Sequence, residues 1–220
     1  MKKWAKNTHR NHIIVEHNDD SGSVDEQAYI KKLTSDVRIV SIVHTSPVTG
    51  MTVDLEKIIK EVRNVTPDCI IIVDGIQHSS HGVIDVQKYD IDGYVVSPYK
   101  MFSRHGYGVA WASDRLCTLN KEQLADGPFE NWELGTRDAG SYATFSDVVD
   151  YLDWLGSNFT ESENTRERLE ASSIAIESHE QELVDLVING AEDIVGLRNN
   201  KKIRIIGNSA STSREGVVSF

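Results

Sequence analysis

The run Cys-Ile-Ile-Ile-Val-Asp at residues 69–74 constrains the fold of this chain more than any other segment. It is apolar almost throughout, which is typical of a central strand buried on both faces of a parallel sheet. Strand and helix patterns alternate before it: strands at 13–17 and 38–44, and helices at 24–34 and from about Asp54 to Val65. This alternation predicts an α/β fold, with a mainly parallel, mixed sheet covered by helices.

The pattern changes after this run. Two further strands are predicted at 94–98 and 108–113. They are followed by a segment at 114–141 that is predicted to be mostly loop, a helix from Ser146 and a long solvated helix from about Ser162 to Ile188. Two short strands follow, in Lys-Lys-Ile-Arg-Ile-Ile-Gly (201–207) and Glu-Gly-Val-Val-Ser-Phe (215–220). Because the last strand has few neighbours to pair with, we expect the chain to be incomplete. The predicted units are an N-terminally incomplete large domain (1–156), a connecting long helix (157–190) and the beginning of a small α+β domain (191–220).

Charge and composition exclude several classes of function. With 34 acidic and 23 basic residues, the net charge of -11 repels phosphate backbones, so no nucleic-acid partner is expected. No apolar run has the length of a membrane span, and the basic N-terminus lacks the apolar core of a secretory signal, which predicts a cytoplasmic protein with no membrane contact. Cys69 and Cys117 suggest neither a disulfide framework nor a zinc site, and we interpret both as structural thiols.

Three polar segments follow predicted strands: 44–50, 74–77 and 97–100. Open α/β sheets bind their ligands at the carboxyl ends of the strands, so these segments are the candidate site. Asp74 ends a buried strand and Lys100 follows the next one. A lysine that forms a Schiff base and a carboxylate that keeps a pyridinium nitrogen protonated are the two groups that pyridoxal 5′-phosphate (PLP) requires.

The order of these segments resembles that of class V PLP enzymes (class V aminotransferases, fold type I), with cysteine desulfurases as the nearest pattern. The resemblance covers roughly residues 25 to 156. It rests on four segments in order: Val-Ser-Ile-Val-His-Thr-Ser-Pro-Val-Thr-Gly (40–50), Ile-Ile-Ile-Val-Asp-Gly-Ile-Gln-His-Ser-Ser-His-Gly-Val-Ile-Asp-Val-Gln (70–87), Tyr-Val-Val-Ser-Pro-Tyr-Lys-Met-Phe-Ser-Arg-His-Gly-Tyr-Gly-Val-Ala-Trp (94–111) and Asn-Trp-Glu-Leu-Gly-Thr (131–136).

This resemblance implies a PLP-transferase large domain, an amino-acid substrate and a homodimer whose sites are built across the interface. It also implies a role for each of the following residues: Asp74 pairs with the pyridine nitrogen, Gln77 hydrogen-bonds the phenolic oxygen, Ser97 and Tyr99 hold the phosphate, Lys100 forms the Schiff base and acts as general base, and Thr136 reaches the phosphate of the other subunit.

Several residues depart from the desulfurase pattern. Pro47 stands where desulfurases have Asn, Tyr99 where they have His, and Arg104 and His105 where they have small or neutral residues. Pro47 and Tyr99 favour the alternative of an aminotransferase, epimerase or kynureninase-like enzyme over a cysteine desulfurase or selenocysteine lyase. Arg104 and His105 are either a solvated turn or part of the substrate site.

The family's N-terminal cofactor segment is expected upstream of Met1, and its substrate-binding Arg and reactive Cys beyond Phe220. Whether this chain is an enzyme by itself is therefore open. A non-catalytic remnant is one alternative, and a nucleotide-binding doubly wound domain is another, although no Gly-x-Gly-x-x-Gly follows an early strand. His78 and His81 lie near Asp85 but lack a further ligand set, so no metal site is predicted and both are interpreted as loop or surface residues.

Overall fold

The computed structural model describes residues 1–129, 131–136, 138–207 and 214–220. Its main sheet has the order β1-β2-β3-β4. β1 pairs parallel with β2, β2 parallel with β3, and β3 antiparallel with β4. The mainly parallel, mixed sheet that the sequence predicts is thus confirmed. The strands are β1 (Ile39–Val43), β2 (Ile70–Asp74), β3 (Gly93–Val96) and β4 (Val109–Ala112).

In the described parts of the chain, every α-helix except the first begins at a polar residue whose side chain accepts a hydrogen bond from the first turn. Caps of this kind satisfy backbone N–H groups that otherwise lack a partner. Asp54 caps the helix predicted from 54 to 65, and Asn164 caps the long helix predicted at 162–188. The helices are α1 (Lys2–Asn7), α2 (Glu26–Ile30), α3 (Leu55–Val65), α4 (Asp114–Cys117), α5 (Ala139–Gly156) and α6 (Thr165–Asn189), with short 3-10 turns at His78–Ser80, Pro98–Lys100 and Leu197–Asn199.

The hydrophobic core lies between α3 and one face of the sheet. Ile58 and Val62 of α3 are fully buried, together with Ile42 of β1 and Ile71 and Val73 of β2. The alternate residues of the two strands are more accessible: those of β2 are half-buried and those of β1 are exposed. The expectation that β2 is buried on both faces therefore holds fully for only one face, the face that contributes to this core.

Asp92, the residue just before β3, is the centre of a buried hydrogen-bond network. It is fully buried, and its carboxylate accepts hydrogen bonds from the Ile71 N–H (2.8 Å), Arg63 Nη2 (3.1 Å), Arg115 Nε (2.5 Å) and Ser113 Oγ (3.1 Å). Burial raises the pKa of this carboxyl, but the hydrogen bonds from Arg115, the backbone and Arg63 more than offset that effect and leave the pKa below its usual value. Asp92 is therefore an ionised centre that ties α3 and α4 to the sheet.

Three predicted strands, at 13–17, 201–207 and 215–220, do not form. Residues 13–17 form no strand, because no strand of the sheet lies beside them to pair with. Ile13 and Ile14 are accordingly exposed. Residues 201–207 and 215–220 share only one isolated bridge, between Ile206 and Ser219. The segment at 114–141, predicted to be mostly loop, has no helix or strand in most of its described residues. It does contain α4, which Ser113 caps, and the start of α5, which begins at Ala139, seven residues before the predicted start at Ser146.

An antiparallel pair follows α6, formed by β5 (Gly190–Ala191) and β6 (Ile194–Val195). Its first residue, Gly190, has a positive φ of 86°, and a Cβ there would meet the Ile194 carbonyl oxygen, so only glycine fits. The domain division at residues 156 and 190 stays a prediction. In the described parts of the chain, no helix has both the length and the apolar character needed to cross a bilayer. The cytoplasmic location also stays a prediction.

Candidate active site

The candidate site lies where β2 and β3 end. Asp74 is the last residue of β2, with Val43 of β1 on one side and Val95 of β3 on the other. β3 is followed by a short 3-10 turn, Pro98–Lys100, and the Lys100 N–H bonds the Ser97 carbonyl oxygen (3.0 Å). Because β2 and β3 are parallel neighbours, their carboxyl ends place Asp74 and the turn that carries Lys100 at the same edge of the sheet.

Lys100 contacts Gln77 directly. Its Nζ donates a hydrogen bond of 2.6 Å to Oε1 of Gln77, although the two residues are 23 positions apart. Both residues are half-buried at this edge of the sheet. The structure thus brings together two of the residues to which the sequence resemblance assigns cofactor contacts.

The carboxylate of Asp74 has one oxygen in use. Oδ1 accepts from the Ile76 N–H (3.1 Å), and among the described residues Oδ2 has no hydrogen-bond donor. The next residue, Gly75, packs against the Tyr94 ring: a Cβ at this position would lie only 2.1 Å from a ring atom. Glycine is therefore required for the chain to leave β2 this close to Tyr94, and that path sets the position of Asp74.

A buried cluster of rings lies behind this edge. His44 Nδ1 is 2.9 Å from the Tyr94 hydroxyl oxygen, and the His44 ring lies 3.7 Å from the His78 ring, measured between centroids. His78 Nδ1 is 2.5 Å from Glu215 Oε1, which also accepts from the Thr45 hydroxyl (2.7 Å). Burial, and then the charge of His78, lower the pKa of His44 to about 3, so this imidazole is neutral at neutral pH. Burial likewise raises the pKa of the Tyr94 phenol.

The depressed pKa of His44 predicts an acid-sensitive fold. The folded state keeps His44 neutral down to about pH 3, whereas the unfolded chain protonates it near pH 6.5. The contribution of neutral His44 to stability is therefore fully present above about pH 6.5 and is lost as the pH falls toward the pKa of the folded state. This loss amounts to about 2 kcal/mol between about pH 7 and about pH 5. The free energy of unfolding of His44→Gln should depend less on pH. We expect the difference between its values at about pH 7 and about pH 5, measured by urea denaturation, to be about 2 kcal/mol smaller than in wild type. His17→Gln, at an exposed histidine, is the control and should leave the difference unchanged; equal pH dependence in all three proteins would contradict the prediction.

A second histidine links Gln77 to α6. His81 Nε2 is 2.9 Å from Gln77 Nε2, and His81 Nδ1 is 2.6 Å from Glu180 Oε2. His78 and His81 lie in the turn that follows β2, as the loop interpretation expects. They are not surface residues, because both are half-buried and each has a carboxylate partner. Among the described residues, no group of three or more His, Cys, Asp or Glu side chains is arranged to hold a metal ion.

The remaining predicted residues lie on either side of Lys100. Ser97 is half-buried just before the turn, and Tyr99 is exposed and stacks on His105 (4.3 Å between ring centroids). Thr136 is exposed and lines a separate shallow cavity of about 320 Å³ that includes none of Asp74, Gln77 and Lys100. The structure therefore gathers Asp74, Gln77, Ser97 and Lys100 at one edge and does not bring Thr136 into that group.

Arg104 already has partners within the chain. Its guanidinium forms an ion pair with Asp138 and donates to the Ser141 hydroxyl (2.7 Å from Nη2). It therefore ties the loop after Lys100 to the first turn of α5. The sequence left two interpretations open for Arg104, a solvated turn and a substrate site. Neither of them predicted the ion pair with Asp138.

Sequence reasoning missed Glu180 and Glu215. Each lies far from its histidine along the chain, 99 residues from His81 and 137 from His78, respectively. Glu180 belongs to α6, which the sequence predicted as a solvated helix on account of its many charges. No local signal distinguishes these two carboxylates from their exposed neighbours, so only the tertiary contacts reveal them.

The comparisons with known proteins agree on one family. The sequence model of the family described as aminotransferase class-V matches residues 3–220. A cysteine desulfurase of Wigglesworthia glossinidia brevipalpis is 36% identical over 96 residues, which cover 44% of this chain and 23% of the relative. A probable cysteine desulfurase 2 of Mycobacterium leprae is 24% identical over 216 residues, covering 91% of this chain and 46% of that protein.

Solved structures show the same fold. The apo structure of a cysteine desulfurase from Thermococcus onnurineus NA1 matches with a TM-score of 0.75 at 21% identity, and the match covers 100% of this chain and 52% of that one. A cysteine desulfurase from Escherichia coli matches with a TM-score of 0.71 at 22% identity, over 96% of this chain and 50% of the other. The chain spans about half the length of these structures, and half or less of the curated relatives. Because the family match extends over nearly all of its residues, the chain belongs to the aminotransferase class-V family.

Proposed function

We propose that this chain supplies the PLP site of a cysteine desulfurase-like enzyme and that Lys100 is the residue that binds the cofactor. Enzymes of this family depend on PLP. The observation that carries the proposal is the 2.6 Å contact between Lys100 Nζ and Gln77 Oε1, at the edge where Asp74 ends β2. An amine, an amide and a carboxylate at the ends of two parallel strands are the set of groups that the aldehyde, phenol and pyridine of PLP require.

The residues present fit this cofactor. Asp74 Oδ2 has no donor among the described residues, so it is available to accept from the protonated pyridine nitrogen. Ser97 directly precedes the turn that carries Lys100 and Tyr99 lies within it, and their hydroxyls would bind the phosphate. When bound, PLP supplies an electron sink for negative charge at the α-carbon of an amino acid. Lys100 Nζ would then remove and return the proton at that α-carbon as general base and acid.

The substrate and the assembly belong to the same proposal. An amino acid is the substrate class, and cysteine is the candidate within it, because the curated relatives that the chain matches include cysteine desulfurases. We propose a homodimer in which Thr136 contacts the phosphate in the other subunit. Burial raises the pKa of the Cys69 thiol, which suits a structural residue rather than a sulfur-accepting nucleophile.

A second candidate is a chain that keeps this sheet but does not catalyse. The exposed face of β1 favours it: Ile39 and Val43 are 42% and 47% accessible, and an apolar strand face of this kind is usually covered by another element or chain. Aminotransferase, epimerase or kynureninase-like chemistry remains a further alternative, supported by Pro47 and Tyr99. Cofactor binding separates the non-catalytic candidate from the enzymatic ones.

The test is direct detection of the covalent cofactor. The purified chain is titrated with PLP, its visible absorption is recorded, and the sample is reduced with borohydride, digested and mapped by mass spectrometry. We expect a saturable visible band and a reduced adduct on the peptide that carries Lys100. A folded chain that shows no band, or an adduct spread over exposed lysines, would contradict the proposal and leave the non-catalytic candidate.

Asp74 Oδ2, which has no donor in the described parts of the chain, predicts a second effect on the cofactor. Asp74→Asn keeps the shape of the side chain but removes the charge that pairs with the pyridinium, an interaction worth about 1.5–3 kcal/mol. We expect the dissociation constant for PLP to rise roughly ten- to hundredfold, measured by the same absorption titration. Asp68→Asn, at an exposed carboxylate before β2, is the control and should bind like wild type. An Asp74→Asn variant with wild-type affinity would rule out this role.

A further inference from the structure

The Gln77 amide is held at both ends. Its Oε1 accepts from Lys100 Nζ at 2.6 Å, and its Nε2 lies 2.9 Å from His81 Nε2. Because a lysine ammonium and an amide NH₂ can only donate, His81 Nε2 must accept in this state. The imidazole is then neutral, with its proton on Nδ1, which donates to Glu180 Oε2 at 2.6 Å. We call the chain Lys100–Gln77–His81–Glu180 the amide relay.

Cofactor binding demands the opposite orientation of this amide. Under the proposed function, Gln77 meets the phenolic oxygen of PLP, which is an acceptor when ionised. The amide must then turn its NH₂ toward that oxygen and its Oε1 toward His81. His81 Nε2 must now donate, while Nδ1 still donates to the Glu180 carboxylate. Both ring nitrogens therefore carry a proton, and His81 becomes an imidazolium.

We propose that His81 and Glu180 are positioning residues that turn the Gln77 amide toward the cofactor, and that PLP binding takes up one proton from solvent onto His81. The inference rests on the proposed function of Lys100 and Gln77. It adds a residue of α6 to the requirements of the site, and Glu180 would act there through His81, to which it is hydrogen-bonded.

The surroundings of His81 favour this second state. Burial lowers the pKa of His81, but the hydrogen bond and charge of Glu180 and the charge of Glu215 raise it by more, against the opposing charge of Lys100, and the net pKa lies above its usual value. The Glu180 carboxylate is also confined. It packs against Gly216, where an added Cβ would lie 3.0 Å from it. A carboxylate held in this position stabilises the imidazolium, so that His81 can be protonated near neutral pH.

The first arm of the test measures His81 without cofactor. The pKa of His81 is followed by NMR titration in wild type, Glu180→Gln and Glu182→Gln. Glutamine keeps the shape of Glu180 and can still accept from Nδ1, but it removes the charge, so we expect the His81 pKa to fall by about one unit. Glu182 is an exposed carboxylate on the same helix, and its replacement should leave the His81 pKa unchanged. An unchanged pKa in Glu180→Gln would overturn the role of Glu180.

The second arm measures the PLP dissociation constant of the same three proteins against pH, by absorption. Dividing the Glu180→Gln value by the wild-type value cancels every pH effect that the two proteins share, including the titration of the cofactor phosphate. We expect this ratio to rise from about one at about pH 5.5 to about three- to tenfold at about pH 8, since one pKa unit corresponds to a tenfold change. A purely structural role changes affinity by the same factor at every pH, so a flat ratio overturns the relay while leaving the proposed function intact. If wild type forms no covalent adduct, the proposed function itself fails, and proton uptake on cofactor binding fails with it.

Discussion

Replacing Lys100 by alanine is expected to abolish the borohydride-stable cofactor adduct and to slow exchange of the substrate α-proton by about 10²–10⁴-fold. The amine is the nucleophile toward the cofactor aldehyde and, in our proposal, the general base at the α-carbon, so one substitution removes both roles. The measurements are mass spectrometry of the reduced protein and NMR detection of deuterium incorporation into the amino acid. Both are made at PLP concentrations that saturate the site.

Two control variants separate these roles from loss of positive charge. Lys100→Arg keeps a cation near Gln77 but cannot form the adduct, so it should resemble Lys100→Ala in both measurements. Lys57→Ala, at an exposed lysine on α3 that pairs with Asp54, should resemble wild type. An adduct that persists in Lys100→Ala on another lysine would rule out Lys100 as the cofactor residue.

Asp92→Ala is expected to have the largest effect on stability, with a loss of about 3–5 kcal/mol of unfolding free energy. The substitution removes a fully buried carboxylate and leaves the Ile71 N–H without its acceptor and the guanidinium of Arg63 with less compensating charge. Removing one partner of a buried ion pair costs more than the pair itself contributes, because the remaining charge stays away from water. Urea denaturation followed by circular dichroism gives the value.

Asp90→Ala is the matched control for this prediction. Asp90 lies two residues away and pairs with the same two arginines, with 3.0 Å from Oδ2 to Arg63 Nε and 3.8 Å from Oδ1 to Arg115 Nη2, but its side chain is 70% exposed. Exposed ion pairs contribute about 0–1 kcal/mol, so we expect a small loss. Similar losses in Asp90→Ala and Asp92→Ala would show that burial of the carboxylate does not determine the effect.

The sheet and its principal helix were predictable because their signals are local. The apolar run before Asp74 indicates a buried strand by itself, and Asp54 followed by an amphipathic stretch indicates a capped helix. The strand predicted at 13–17 failed because a run of β-formers becomes a strand only where another strand offers hydrogen-bonding partners. The same reason reduces the segment at 201–207 to a single bridge.

The candidate site divides in the same way. The order of Asp74, Gln77, Ser97 and Lys100 along the chain, at the ends of successive strands, was enough to predict that they gather at one sheet edge, and their assigned roles stay predictions. The partners of the histidines could not be predicted. Glu180 and Glu215 come from segments 99 and 137 residues away, and a carboxylate that will pair with a buried ring looks, in sequence, like one that faces solvent.

By itself, the sequence determined the fold class, the family and the positions of the strand ends, because hydrophobic pattern and residue order act over short stretches of chain. Only the tertiary structure decided which polar groups are buried and which of them meet. Asp92 became an ionised centre, His44 a neutral imidazole and His81 a link from Gln77 to α6. The physical reason is that burial and charge–charge distance set the protonation of a side chain, and both are properties of the packed chain.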